Sequence, residues 1–205
     1  MIRQQVKHDP NGGALMVGLV MSRYSNSLWA GPISSQWLSY FEDQCHFVNS
    51  LPLELQSQVK VRLAPHDFGW DQELRWKSRF SNIKLYSSNQ PIEKLISQSR
   101  FYISTYNATT YLESLFLNVP TIIFWNPEHW ELNKEAKSYF KLLIDVGIFH
   151  KTPYSAAQKM IEVWNNVDGW WMSENVQNAR QIFCEKYSKE IKHPVRELKS
   201  AITTK

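Results

Sequence analysis

Five short polar side chains, Ser104, Thr105, Asn107, Thr109 and Thr110, lie between an apolar run at residues 101–104 and a segment in which Leu112, Leu115 and Phe116 recur at helical spacing. Hydroxyls donate short hydrogen bonds without bulk, as a phosphate or diphosphate requires where it meets the amides of a helix N-terminus. Glu113, one turn further on, can accept from both hydroxyls of a ribose diol at once. The same letters also permit a plainer use. Thr110-Tyr111-Leu112-Glu113 has the pattern of a capping box, in which the Thr and Glu side chains satisfy only backbone groups. Four clustered hydroxyls and an Asn exceed what one cap requires, and the balance favours a ligand.

Two arginines can bring positive charge to the same place. Arg62 falls near the end of a strand expected at 59–64, and Arg23 in the polar exit (Ser22 to Ser27) of a strand expected at 14–21. Each can equally form an ordinary surface ion pair. His66 and Asp67 are adjacent in an aromatic-polar loop at 65–70, where a base, an acceptor contact and a loop-stabilising pair are all open readings. No other His, Cys or carboxylate stands at ligand spacing from them, so no metal site is expected. Gly12, Gly13 and Gly18 precede or interrupt the first strand and make no dinucleotide fingerprint. Walker-type loops, nucleophile elbows and zinc motifs are missing.

The elements that must hold these residues alternate. Strands are expected at 14–21, 59–64, 83–86, 101–104 and 119–125, the apolar ones suited to burial on both faces. Helices are expected at 33–51 (capped by Ser34 or Ser35, with Trp37, Leu38, Phe41, Cys45 and Val48 inward), 72–80, and 91–98 with Asn89 as cap. A helix from the end of the 126–133 loop to Val146 stops at Gly147. Helices at 153–164 and 173–189 follow, with a turn at 168–171 between them. The expected fold is α/β: a Rossmann-like parallel sheet of about five strands flanked by helices, with a helical C-terminal layer. Residues 1–13 read as a polar lead-in, 14–190 as the domain, and 191–205 as a terminal helix or tail.

At 205 residues, 43% hydrophobic and 20% charged, the chain can bury a sizeable core. The net charge of +4 is spread along the sequence without the clusters of a nucleic-acid face. It suits an anionic small molecule or an anionic lipid surface. Cys45 and Cys184 are far apart, which fits a reducing cytoplasm, and neither a membrane span nor a signal-peptide core is read.

Two segments, Ser104 to Glu113 and Asn118 to Trp125, resemble the nucleotide-sugar half of GT-B glycosyltransferases, where a Ser/Thr-rich turn, a helix bearing Glu and a proline followed by an apolar strand recur in this order. Arg62, His66-Asp67-Phe68-Gly69-Trp70, Gly147-Ile148-Phe149-His150, Thr152-Pro153, Ala156-Ala157 and Trp170-Trp171 extend the likeness to bacterial transferases of surface-polysaccharide biosynthesis, over about residues 15–187. The resemblance implies a donor-binding domain with the diphosphate on Ser104, Thr105, Asn107, Thr109 and Thr110, and Glu113 toward the ribose. Ser22 and Arg23 would face an interdomain cleft, and Arg62, His66 and Asp67 would be the catalytic candidates. Such chemistry is usually metal-independent and uses no cofactor; the nucleotide-sugar is the substrate, and fixed dipoles and cations stabilise the departing diphosphate. The acceptor site of a GT-B enzyme lies in an N-terminal Rossmann-like domain for which this chain has no room. A separate N-terminal domain is therefore an expected partner, in the cytoplasm or at the inner face of the membrane. The alternatives are a non-catalytic or remnant nucleotide-binding domain, a sugar-nucleotide epimerase, and a transferase of glycerol phosphate or sialic acid.

Overall fold

The computed structural model describes residues 8–24, 34–87, 89–189, 191 and 193–203. Six strands, β1 (Gly13–Val17), β2 (Val59–Arg62), β3 (Lys84–Tyr86), β4 (Ser99–Ser104), β5 (Thr121–Phe124) and β6 (Phe149–His150), form one all-parallel sheet. Their order across the sheet is β3-β2-β1-β4-β5-β6. Every residue of β1 and β5 is buried, as the apolar letters that dominate both require of strands covered on both faces. At the amino edge Gly13 has no room for a side chain: a Cβ there would meet the Gln58 carbonyl oxygen at 2.3 Å.

The helices are α1 (Trp37–Asn49), α2 (Leu53–Gln56), α3 (Gln72–Arg79), α4 (Ile92–Ser97), α5 (Thr109–Phe116), α6 (Lys134–Asp145), α7 (Pro153–Val163), α8 (Val167–Trp171), α9 (Glu174–Tyr187) and α10 (Pro194–Thr203). α1 packs against α7, while α9 packs against α5 and α6. Successive residues at the end of β5 divide between these two layers. Phe124 stacks on Phe47 of α1 with centroids 5.1 Å apart, and the next residue, Trp125, meets Tyr111 of α5 at 5.8 Å.

The C-terminal layer is locked onto the end of α5. Asn118 adopts a left-handed conformation there (φ 56°), a common way to stop a helix. Trp171 Nε1 reaches both the backbone oxygen and Oδ1 of Asn118 at 3.0 Å, and Gln177 Nε2 donates to the same Oδ1 at 3.1 Å. Arg180 Nη1 donates to the Leu115 carbonyl at 2.8 Å, placing a cation at the negative end of the helix. At the end of α6, Gly147 takes φ 75°, the stop that its position in the sequence predicts.

The architecture is the expected one, with one strand more. β6 is two residues long, too short for any periodicity. It exists because Phe149 and His150 pair with Ile123 and Phe124 at the sheet edge. Four local expectations are corrected. Residues 168–171 are not a turn but belong to α8, whose first turn is closed by Asn166 Oδ1 accepting from Gly169 N at 3.1 Å. Ser34 and Ser35 do not cap α1; they lie in a short 3-10 turn, and Gln36 precedes the helix without a side-chain cap. Leu38 is 45% exposed, and Tyr40 and Phe47 take the inward positions instead. Pro91, not Asn89, occupies the cap position of α4. Residues 1–7, the Ser25 to Ser27 end of the first strand's exit and Ile33 lie outside the described residues. Among those described, no helix is long and apolar enough to cross a membrane, and no group of three or more His, Cys, Asp or Glu side chains could hold a metal ion.

Candidate functional site

The strand order reverses between β1 and β4. From β1 the chain builds outward to β2 and β3, then crosses back to lay β4 on the other side of β1. In open parallel sheets the crevice at the carboxyl ends of such a pair is where ligands bind, because the flanking loops part there. The site is therefore framed by the exits of β1, β2 and β4, where the sequence concentrates its polar candidates.

The exit of β1 is held by aromatic side chains from two other segments. Leu19 N donates to Tyr40 Oη at 2.7 Å, and Trp37 Nε1 donates to the Leu19 carbonyl at 3.2 Å. Trp70 Nε1 donates to the Met21 carbonyl at 2.7 Å, and Trp70 stacks on Trp37 with centroids 4.5 Å apart. Arg75 Nε donates to the Trp70 carbonyl at 2.6 Å. Arg23 closes the frame: its Nη1 donates to the Gly69 carbonyl at 3.1 Å, and its guanidinium lies 5.5 Å from the Trp70 ring centroid. An indole face so placed attracts the cation and sets its direction.

Thr105 joins β4 to this frame. Its Oγ1 donates to the Val17 carbonyl at 3.0 Å and is 2.6 Å from Tyr40 Oη. With the Thr105 hydrogen engaged on Val17, Tyr40 must donate to Thr105, and a single chain results: Leu19 N–H, Tyr40 O–H, Thr105 O–H, Val17 carbonyl. The network is dry. Burial is the main cause that pushes the Tyr40 phenol far above its ordinary value, outweighing the hydrogen bonds that favour the phenolate.

The five polar residues of the β4–α5 turn thus divide. Ser104 and Thr105 are buried, and Ser104 Oγ bonds the Tyr106 carbonyl at 3.3 Å. Asn107 Oδ1 accepts from the Tyr111 hydroxyl at 3.1 Å, and Thr110 Oγ1 donates to Tyr106 Oη at 3.1 Å; both residues are partly buried. Thr109 is exposed at the first position of α5. The capping box does not form. Ala108 is the N-cap and offers no side-chain hydrogen bond, so Thr110 lies inside the helix rather than before it.

Glu113 and Arg62 both act electrostatically on one pair of phenols. Tyr102 and Tyr106 are each raised above the usual tyrosine value, first by burial. The Glu113 carboxylate adds to that shift, and the Arg62 guanidinium opposes it. The register explains the neighbourhood: Arg62 pairs with Val17, and Val17 with Ser104, so Arg62 and Ser104 lie in one row across the carboxyl edge. Arg62 Nη2 also donates to the Gln90 carbonyl at 3.4 Å.

In the β2 exit loop, His66 is exposed and its ring lies 5.6 Å from that of Phe68. Asp67 has a structural task. Its Oδ2 accepts from Asp71 N at 2.8 Å and its Oδ1 from Gln72 N at 2.7 Å, closing the start of α3. Burial works to raise this carboxyl, but the amides of Gln72 and Asp71 outweigh it and hold it below the ordinary aspartate range. Ser22 is partly buried beside Arg23.

Sequence reasoning missed Tyr40, Trp37 and Trp70 as the residues that shape the crevice. Trp37 and Trp70 were visible only as aromatics in a helix and a loop. Their indole N–H groups act on the exit of β1 through pairings between segments far apart in the chain. Tyr40 carries the one retrievable signal: a polar atom on the inward stripe of a helix demands a buried partner.

A family model described as LIC12162 family transferase matches residues 1–202. No curated protein matches the chain.

Proposed function

The chain belongs to the LIC12162 family of transferases, and from that premise we propose that it is the donor-binding part of a GT-B-type glycosyltransferase of surface-polysaccharide biosynthesis. Its substrate on this reading is a nucleotide-activated sugar, and no cofactor takes part. The observation that carries the reading is a coincidence of position: α5 begins, uncapped by its own N-cap side chain, at the crevice where the strand order reverses. The first amides of α5 and the exposed Thr109 hydroxyl would receive the diphosphate. Arg62 and Arg23, from the exits of β2 and β1, would supply positive charge, and Glu113 would accept from the ribose hydroxyls. Asn107 and Thr110, held by Tyr111 and Tyr106, would shape the turn, with Ser104 and Thr105 beneath it.

In the transfer step the bond from the sugar's anomeric carbon to the diphosphate oxygen breaks, a bond to an acceptor hydroxyl oxygen forms, and the hydroxyl's proton would pass to a base on the separate N-terminal domain. Negative charge grows on the departing diphosphate, where fixed amides and arginines favour it most. His66 is the exposed candidate for an acceptor contact. Asp67 would serve by positioning the loop, since both its oxygens already hold amides. The acceptor site would come from a separate N-terminal domain, with the pair working in the cytoplasm at the inner face of the membrane.

A thermal-shift series with UDP, CDP, GDP, TDP and CMP, with and without magnesium, tests this. One nucleotide is expected to stabilise the chain selectively, by about 2.7 kcal/mol at a hundredfold excess over Kd. The shift should vanish in Thr109→Val and in Glu113→Ala and be indifferent to magnesium. If none of the five nucleotides shifts the transition, the donor-site reading fails.

A further inference from the structure

A concavity lies further along the same sheet edge, beyond the exits of β5 and β6. It encloses about 790 Å³, within the range of roughly 300–1,000 Å³ typical of small-molecule sites. Trp125, Trp130, Phe140 and Phe149 form its floor, in mutual contact at centroid distances of 4.5 to 6.3 Å. One stripe of α6, Lys137, Lys141 and Ile144, makes a wall at the one-turn spacing of a helix face, and Lys151 follows β6 on the other side. The lining thus carries three lysines against a single carboxylate, Glu131.

The two chemistries decide the ligand class together. Ammonium groups repel a metal ion and attract an anion. They are confined to one concavity rather than drawn out into the long basic track that a nucleic acid requires. The floor is apolar, which offers a small hydrated anion no partner but suits an apolar body. Lys141 is already paired with Asp145 at 2.8 Å, so Lys137 and Lys151, both exposed, are the ammonium groups to consider first. Trp130 touches Tyr40 of the β1–β4 crevice with ring centroids 5.6 Å apart, while Lys137 and Lys151 stand apart from that crevice, and the assignment does not depend on the donor-site reading.

We infer that this cavity binds an anion carried on an apolar body, of the class of a phosphate monoester of a ring or hydrocarbon chain, with Lys137 and Lys151 on the phosphate and the Trp125–Trp130 floor under the body. The probe is 1-naphthyl phosphate, titrated into the whole chain by calorimetry, with 15N-indole spectra to locate it. Saturable one-to-one binding that moves the indole signals of Trp125 and Trp130 is expected, with 1-naphthol and inorganic phosphate each at least tenfold weaker. The double variant Lys137→Ala/Lys151→Ala should weaken binding at least tenfold, and Lys151→Gln alone severalfold. Both sites are exposed, so the melting transition should not move. Arg62→Ala and Glu113→Ala should bind the probe like the parent, which separates this site from the nucleotide site.

Vesicles containing phosphatidic acid distinguish the natural sources. Lysine-dependent co-sedimentation assigns a lipid, and probe binding without co-sedimentation assigns a soluble phosphate. Equal binding of 1-naphthol, affinity unchanged in the double variant, or indole signals that stay in place would each overturn the assignment.

Discussion

Two threonines four residues apart show how far one side-chain type can diverge in role. The Thr105 hydroxyl is buried between Tyr40 and the Val17 carbonyl, whereas Thr109 is exposed at the start of α5. Thr105→Val keeps the shape but leaves a buried carbonyl and a buried phenol each short of a partner. It should cost about 1–3 kcal/mol in chemical denaturation and leave any nucleotide-induced shift intact. Thr109→Val should change stability by less than about 0.5 kcal/mol and abolish that shift. His150 gives a pH signature at the same scale. Burial, helped by the nearby Lys159 ammonium, depresses this imidazole below its ordinary value, although its bond to the Gly147 carbonyl at 3.0 Å works the other way. The folded state therefore binds fewer protons than the unfolded one between the depressed value and about 6.5. Stability should fall as the pH drops from about 6.5 through that window. In His150→Gln this part of the slope should disappear from urea melts run across the same range.

Helix α5 is short, eight residues, and its two ends are treated differently. The amino end opens into the crevice without a side-chain cap. The carboxyl end is closed by Asn118 in the left-handed conformation and by three side chains from α8 and α9. So short a helix has little stability of its own and depends on such tertiary contacts to stay formed. Removing the partly buried guanidinium in Arg180→Ala should cost about 1.5–3 kcal/mol, since the Leu115 carbonyl loses a charged donor. In a chain of this size that corresponds to a fall in Tm of roughly 5–10 °C. Arg180→Lys should recover only part of it, because one ammonium cannot also reproduce the bond from Arg180 Nε to Gln177 Oε1. A melt in which both variants match the parent would show that the C-terminal layer does not support α5.

At the scale of the molecule, the centre of the sheet and its edges differ in kind. β1, β4 and β5 are buried nearly throughout, while β3 and β6 are three and two residues long with partial exposure. Amide exchange should accordingly be slowest in β1, β4 and β5, approaching the global unfolding limit, and much faster in β3 and β6. Equal protection of β3 and β1 would contradict this picture. The arrangement also fits a binding role: the crevice lies over the most deeply buried strands, and the first residues after β1, Leu19 and Met21, are held by Tyr40, Trp37 and Trp70.

The sequence by itself determined the class of fold, because short unbroken apolar runs such as residues 14–17 and 122–125, set between segments of helical periodicity, suit strands covered on both faces. It also located the polar turn before α5 and the stop at Gly147, both of which depend on a few neighbouring residues. Tertiary structure decided the rest. Whether Thr105 or Thr109 faces outward depends on which of them meets Tyr40, a residue 65 positions away from Thr105. Whether Asp67 is a reactive carboxylate or a cap depends on where the backbone turns after it. The two-residue β6 arises only from its pairing with β5, and the lysine-lined concavity only where α6 meets the exits of β5 and β6. Local letters carry the pattern of burial, but partners distant in the chain choose which polar atom is left to act.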